Sequence, residues 1–159
     1  MKIINGNIWD KWEEGYYIGI SVSCELTTNG DAVMGAGISE EIKKRLPTLP
    51  YELGHYKEDL STVTLWNEHK IITIPTRYKA KDPSNITLLT NSCHDIRGLM
   101  PVIQNDLKYF LDCQGLVYLP NLGGGYAYNP ETHSWEEVKP IMDKYFADDR
   151  FIMVKDNAV

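Results

Sequence analysis

The apolar residues of this chain fall into short blocks whose period switches between two and about 3.6, the signature of strands interleaved with helices. Residues 2–4 predict a short strand, stopped by Asn5-Gly6-Asn7. Residues 8–12 predict one irregular helical turn whose indoles, Trp9 and Trp12, cover the core or flank a ligand. Residues 16–24 (YYIGISVSC) are apolar or small on both faces, as in a strand buried at the centre of a sheet. Residues 39–46 have helical composition, Leu46-Pro47-Thr48-Leu49-Pro50 breaks the chain, and residues 51–57 predict a second short helix. Residues 63–66 and 70–75 read as a hairpin across the polar turn Asn67-Glu68-His69, with His69 solvated. A polar, basic loop occupies 76–83. Ser84 is the expected N-cap of a helix over 85–96, where Ile86, Leu89, Cys93 and Ile96 form an apolar stripe that Gly98 ends. Pro101 opens another helix to residue 111, offering Val102, Leu107 and Phe110 for burial. Residues 115–119 predict a buried strand. Ser134 and Glu137 make a capping box for a helix that reaches residue 146 in spite of Pro140, and residues 151–154 are the last strand.

This order, β-β-α-α-β-β-α-α-β-α-β without repeat or linker, predicts an α/β protein: one domain over 1–159, three layers α/β/α, with a mixed central sheet because of the hairpin. The length is ample for a buried core. A formal net charge of -6 excludes a general nucleic-acid binder, which needs a basic face, and leaves room for one small anion held by backbone amides. No apolar run approaches a membrane span, and the N-terminus turns polar too soon for a signal peptide. Cys24, Cys93 and Cys113 are scattered and lack metal-ligand spacing. The expectation is a cytoplasmic protein with reduced thiols, no metal, no cofactor and no membrane partner.

The candidate chemistry lies in two glycine loops. Val33-Met34-Gly35-Ala36-Gly37-Ile38 leads from the central strand into the helix at 39–46. Helix N-termini present unpaired N–H groups and a positive dipole end, and glycine lets a ligand approach the backbone. Gly123-Gly124-Gly125 comes after the strand at 115–119 and leads to Tyr126 and Tyr128. Together the loops suit a diphosphate. Just before the first loop, Asp31 is a candidate to orient or deprotonate a water and Asn29 to hold a hydroxyl, while Asn29-Gly30-Asp31 is equally ordinary turn chemistry. Arg77 suits bidentate phosphate contact or is a solvated loop arginine. His133 is an acid–base candidate or simply exposed. The chain has neither a P-loop lysine with Ser/Thr nor an early GxGxxG, which disfavours other α/β nucleotide binders.

The two loops, the helix start Trp135-Glu136-Glu137-Val138-Lys139-Pro140 and the segment Asn5-Gly6-Asn7-Ile8 resemble, in order and spacing from Lys2 to Val154, a macro domain. This is the fold family that binds ADP-ribose, and the likeness is to its small stand-alone members similar to ADP-ribose 1″-phosphate phosphatases. The resemblance implies adenine at Asn7 and Ile8, and the diphosphate at Gly35, Ala36, Gly37, Ile38, Gly123, Gly124, Gly125 and Tyr126. It implies the distal ribose beside Asn29 and Asp31, and a terminal phosphate beside Arg77.

The departures from the family are also specific. Asn7 stands where many members have an aspartate, so it accepts a hydrogen bond without charge. Ser23-Cys24-Glu25-Leu26-Thr27-Thr28 replaces the asparagine-rich ribose motif. Arg77 is the nearest match to the lysine of a branch that uses a covalent route, and a protonated guanidinium cannot form a Schiff base. That branch's second-loop aspartate has no counterpart near Ala127. The function implied is a monomeric hydrolase of an ADP-ribose derivative, first among them ADP-ribose 1″-phosphate. Alternatives are a non-catalytic ADP-ribose or nucleotide reader, or a hydrolase that frees ADP-ribose from a macromolecule.

Overall fold

The computed structural model describes residues 1–35, 37–57, 59–106, 117–123 and 135–155. Its strands are β1 (Lys2–Asn5), β2 (Tyr17–Ser23), β3 (Thr64–Trp66), β4 (Ile71–Arg77), β5 (Val117–Leu119) and β6 (Phe151–Lys155). They form one sheet in the order β1-β6-β5-β2-β4-β3. Every pairing is parallel except β3 with β4, which is the predicted hairpin. β2 lies between β5 and β4, which pair both of its edges, and the core clusters on the two sides of the sheet cover both of its faces, which is why residues 16–24 carry no polar face.

Strand alternation sorts the core into two halves. Ile18, Ile20, Val22, Ile71, Tyr118, Ile152 and Val154 face helices α1 (Ile8–Glu13), α2 (Gly37–Arg45) and α3 (Leu49–Tyr56). Tyr17, Ile72, Ile74, Val117, Leu119, Phe151 and Met153 face α4 (Ile86–Gly98), α5 (Met100–Asp106) and α6 (Trp135–Tyr145). The α/β fold with helices on both sides of a mixed sheet is therefore as the hydrophobic pattern predicts.

Several local expectations change. Helix α2 begins at Gly37, so Gly37 and Ile38 belong to its first turn rather than to the loop. Helix α3 begins at Leu49 and takes in Pro50, which the first turn tolerates because its N–H groups have no helical acceptor. Strand β4 continues to Arg77, which places that residue on the sheet instead of in the loop beyond it. The N-cap of α4 is Asn85, whose Oδ1 accepts from the Leu88 N–H at 2.9 Å. Ser84 is buried and donates to the Gly123 carbonyl at 3.4 Å, a tertiary bond that displaces the capping role. In α5 the start at Met100 sets the phase, so Met100 and Ile103 are buried three residues apart and Val102 is exposed. Leu107, Phe110 and Ser134 lie outside the described residues. Helix α6 runs through Pro140.

His69 is not solvated: its Nε2 lies 3.2 Å from Glu52 Oε2 on α3, and its carbonyl accepts from Trp12 Nε1 at 2.8 Å. Both tryptophans of α1 are packing residues. Trp9 is buried under the Arg45 guanidinium, 3.9 Å from its ring centroid.

Candidate functional site

The parallel strands all run the same way, so the segments that leave their C-terminal ends emerge at one edge of the sheet. Asn7 and Ile8 come after β1, residues 29–38 after β2, and Gly123 after β5, while Arg77 ends β4. In open α/β sheets this carboxyl edge is where ligands bind. Ala36, Gly124, Gly125, Tyr126, Ala127, Tyr128 and His133 lie outside the described residues.

Asn7 caps α1, with its Oδ1 accepting from the Trp9 N–H at 2.9 Å; the oxygen keeps a second lone pair for another donor. Ile8 is buried beside it. Gly35 is exposed, and Gly37 opens the nine-residue helix α2 at φ +60°, in the left-handed region that favours glycine. Gly123 is a glycine for a packing reason. A Cβ there would lie 2.1 Å from Val138 Cγ2 of α6. Its N–H donates to Asn121 Oδ1 at 3.2 Å, so any ligand contact at Gly123 is a backbone contact to a residue already fitted into the core.

A register shift separates the ends of β2 and β4: Val22 pairs with Pro75, and Ser23 with Arg77. Thr76 is the extra residue. It is fully buried, and its Oγ1 makes no hydrogen bond among the described residues. Bulges of this kind recur beside active sites because they re-aim the strand end. Beyond the bulge, the Cys24 N–H bonds to the Arg77 carbonyl at 3.0 Å, which locks the two strand ends together. The Arg77 guanidinium is half-buried and makes no ion pair or hydrogen bond among the described residues. Burial pushes its pKa down, against the weaker opposing pull of Asp82. Asp82 offsets only part of the cost of withdrawing this cation from water, and an anion bound beside it would offset more. At the neighbouring Cys24, burial first and then Asp59 push the thiol pKa up, and its Sγ donates to the Leu60 carbonyl at 3.4 Å, both of which disfavour the thiolate.

Asn29 and Asp31 do sit in a tight turn. The Thr27 N–H bonds to Asp31 O at 2.8 Å, the Gly30 N–H to Thr27 O at 2.9 Å, and Leu26 bridges Ala32. Turn chemistry thus accounts for the backbone and leaves both side chains outward, with Asn29 exposed and the Asp31 side chain 40% exposed. The turn rests on α3. Ala32 N–H bonds to Pro50 O at 2.8 Å, and a Cβ on Gly54 would lie 2.0 Å from Gly30 O and 2.9 Å from Ala32 N. His55, the next residue, brings Nε2 to 3.1 Å from Asp31 Oδ1. A carboxylate only accepts, so the ring nitrogen donates.

Sequence reasoning missed this histidine because the partners are 24 residues apart. The available signal was Gly54, a helix-interior glycine whose position costs helix stability unless something approaches closely. Gly54→Ala is expected to lower stability by ~1–3 kcal/mol through overpacking, in spite of alanine's better helix propensity. Thermal melting checks this, and an unchanged or raised Tm would mean that the turn is not clamped there.

Among the described residues no three His, Cys, Asp or Glu side chains gather as metal ligands, and no helix is long and apolar enough to cross a membrane.

No protein-family model matches the chain, and no curated protein matches it in sequence. Solved structures do. The macrodomain of Thermus aquaticus DarG superposes with a TM-score of 0.66 at 19% identity, over 96% of this chain and 95% of that one. The macrodomain of Mycobacterium tuberculosis DarG gives 0.60 at 20% identity, over 87% of each chain. Thermosipho africanus DarTG in complex with ADP-ribose gives 0.64 at 15% identity, over 99% of this chain and 42% of that one. At these identities the likeness is one of fold.

Proposed function

We propose, from the premise that this chain has the macrodomain fold, that it binds ADP-ribose along the carboxyl edge of its sheet and hydrolyses the terminal phosphate of ADP-ribose 1″-phosphate. The observation that carries the reading is Arg77, a half-buried guanidinium at the end of the bulged strand β4, with no hydrogen bond or close ion pair among the described residues and only the distant charge of Asp82 opposing its burial. The neighbouring structure solved with ADP-ribose supports the ligand. So does the width of the site: β1 and β4 are four strand spacings apart, roughly 19 Å, which suits an extended dinucleotide-sized ligand better than a lone phosphate.

In this reading Asn7 and Ile8 take the adenine, and the amides around Gly35 and the start of α2, with Gly123 to Tyr126, take the diphosphate. Asn29 holds the distal ribose. Arg77 grips the terminal phosphate through paired N–H donors and offsets charge on its oxygens during displacement. Asp31 orients a water and accepts its proton as the oxygen attacks phosphorus. The P–O bond to the ribose breaks, the released ribose oxygen takes up a proton from solvent as Asp31 returns its own, and inorganic phosphate and ADP-ribose are left. Arginine in place of lysine favours this direct hydrolysis over a covalent amine route.

Incubation with ADP-ribose 1″-phosphate, monitored by phosphate release, tests the reaction. Calorimetry with ADP-ribose, AMP and phosphate tests the site, with micromolar-class affinity expected for ADP-ribose and far weaker binding of phosphate. Binding without release would make the protein a reader; equal affinity for AMP and ADP-ribose would remove the distal-ribose position. Arg77→Ala is expected to weaken the action on the phosphorylated substrate about 10- to 100-fold, the scale of a lost charge-assisted contact, with ADP-ribose affinity nearly intact. A uniform loss for both ligands would place Arg77 on the diphosphate instead.

A further inference from the structure

We infer that His55 is a positioning residue for Asp31, holding the carboxylate in the orientation from which it activates water; the inference rests on the phosphatase reading above. His55 Nε2 takes one carboxylate oxygen, Oδ1, at 3.1 Å, while Oδ2 makes no hydrogen bond among the described residues. One oxygen is anchored and the other is left for a water. A carboxylate on an exposed turn otherwise divides its time among several rotamers, few of which present an oxygen to the reacting phosphate.

His55 is itself held. Its ring stacks on Tyr51, one turn earlier on α3, with centroids 4.2 Å apart and planes 27° apart. The helix is fixed to the turn by the Ala32–Pro50 bond and by the absence of a Cβ at Gly54, and a Cβ at Gly30 would lie 3.0 Å from His55 Cε1. Three successive residues of the turn, Gly30, Asp31 and Ala32, are thus set by one short helix. The ion pair itself adds little stability, because the two side chains are 34% and 40% exposed, where such pairs contribute little. Orientation of Asp31 is what the arrangement delivers.

The test compares phosphate release from ADP-ribose 1″-phosphate by wild type, His55→Phe, His55→Gln and the double variant Asp31→Ala/His55→Phe, each with a melting curve. Phenylalanine keeps a ring on Tyr51 and loses the donor; glutamine loses the ring and restores an N–H at similar reach. The expected result is a kcat lowered about 10- to 100-fold in His55→Phe at unchanged KM, substantial recovery in His55→Gln, and no added loss when His55→Phe is placed on Asp31→Ala. A merely structural role would track the melting temperature and would not be rescued by glutamine. Full kcat in folded His55→Phe, no recovery in folded His55→Gln, or an equal further loss in the Asp31→Ala background overturns the inference while wild-type turnover keeps the phosphatase reading. Absence of phosphate release by wild type overturns both.

Discussion

Asp31→Ala lowers turnover of ADP-ribose 1″-phosphate by about 10²- to 10⁴-fold, the loss expected when a general base is removed, and leaves ADP-ribose affinity unchanged. The two halves of this expectation come from different parts of the molecule. Asp31 sits on a turn after β2 and is held from α3, whereas the proposed adenine and diphosphate contacts come from the end of β1, the start of α2 and the loop after β5. A contact made to the attacking water is realised in the transition state, so kcat falls and KM does not. Asn29→Ala behaves differently if Asn29 holds the ribose in both ground and transition states, weakening binding and turnover together. Steady-state kinetics beside calorimetry separate the two. Full turnover by Asp31→Ala would end its assignment as the base and move the search to other groups at the carboxyl edge.

Gly35→Val lowers ADP-ribose affinity about 100-fold or more and leaves the fold standing. Gly35 is exposed, directly after the buried Met34 and two residues before α2, so a side chain there is not forced into the core. In the proposed complex it meets the diphosphate. Overpacking of this size costs about 1–3 kcal/mol, and the displaced ligand also loses its amide contacts, so the affinity falls about 100-fold or more. Calorimetry on a variant shown to melt near the wild-type temperature is the measurement. Retained affinity would mean that the diphosphate lies elsewhere. Gly123 makes a poorer probe: valine there strikes Val138 in the core, so a loss of binding at that position would report unfolding as readily as ligand contact.

The order of the strands and of helices α2 to α6, the mixed sheet and the central place of β2 were all legible along the chain, whereas residues 8–12 read as one irregular turn and belong to the six-residue helix α1. Period, turn residues and the absence of a polar face on residues 16–24 are local consequences of which side of a segment is buried. The carboxyl-edge location of Asn7, Asn29, Asp31, Gly35, Gly37, Ile38, Arg77 and Gly123 was legible as well, because parallel strands joined by crossovers deliver every second connection to the same edge. Neighbours in sequence cannot specify which side chain a residue meets across the fold. Ser84 and Asn85 are both good caps, and the choice between them went to Asn85 because Ser84 bonds to Gly123, 39 residues away. His69 read as a solvated turn residue until α3 brought Glu52 to it. Gly123 carries no local sign of being a contact glycine rather than a flexible one, Gly54 shows one only as a glycine inside a helix, and Asp31 carries none of being tied to His55. Such pairings arise from close packing of whole elements, where a shift of about one ångström exchanges one partner for another, and no short-range propensity records that choice.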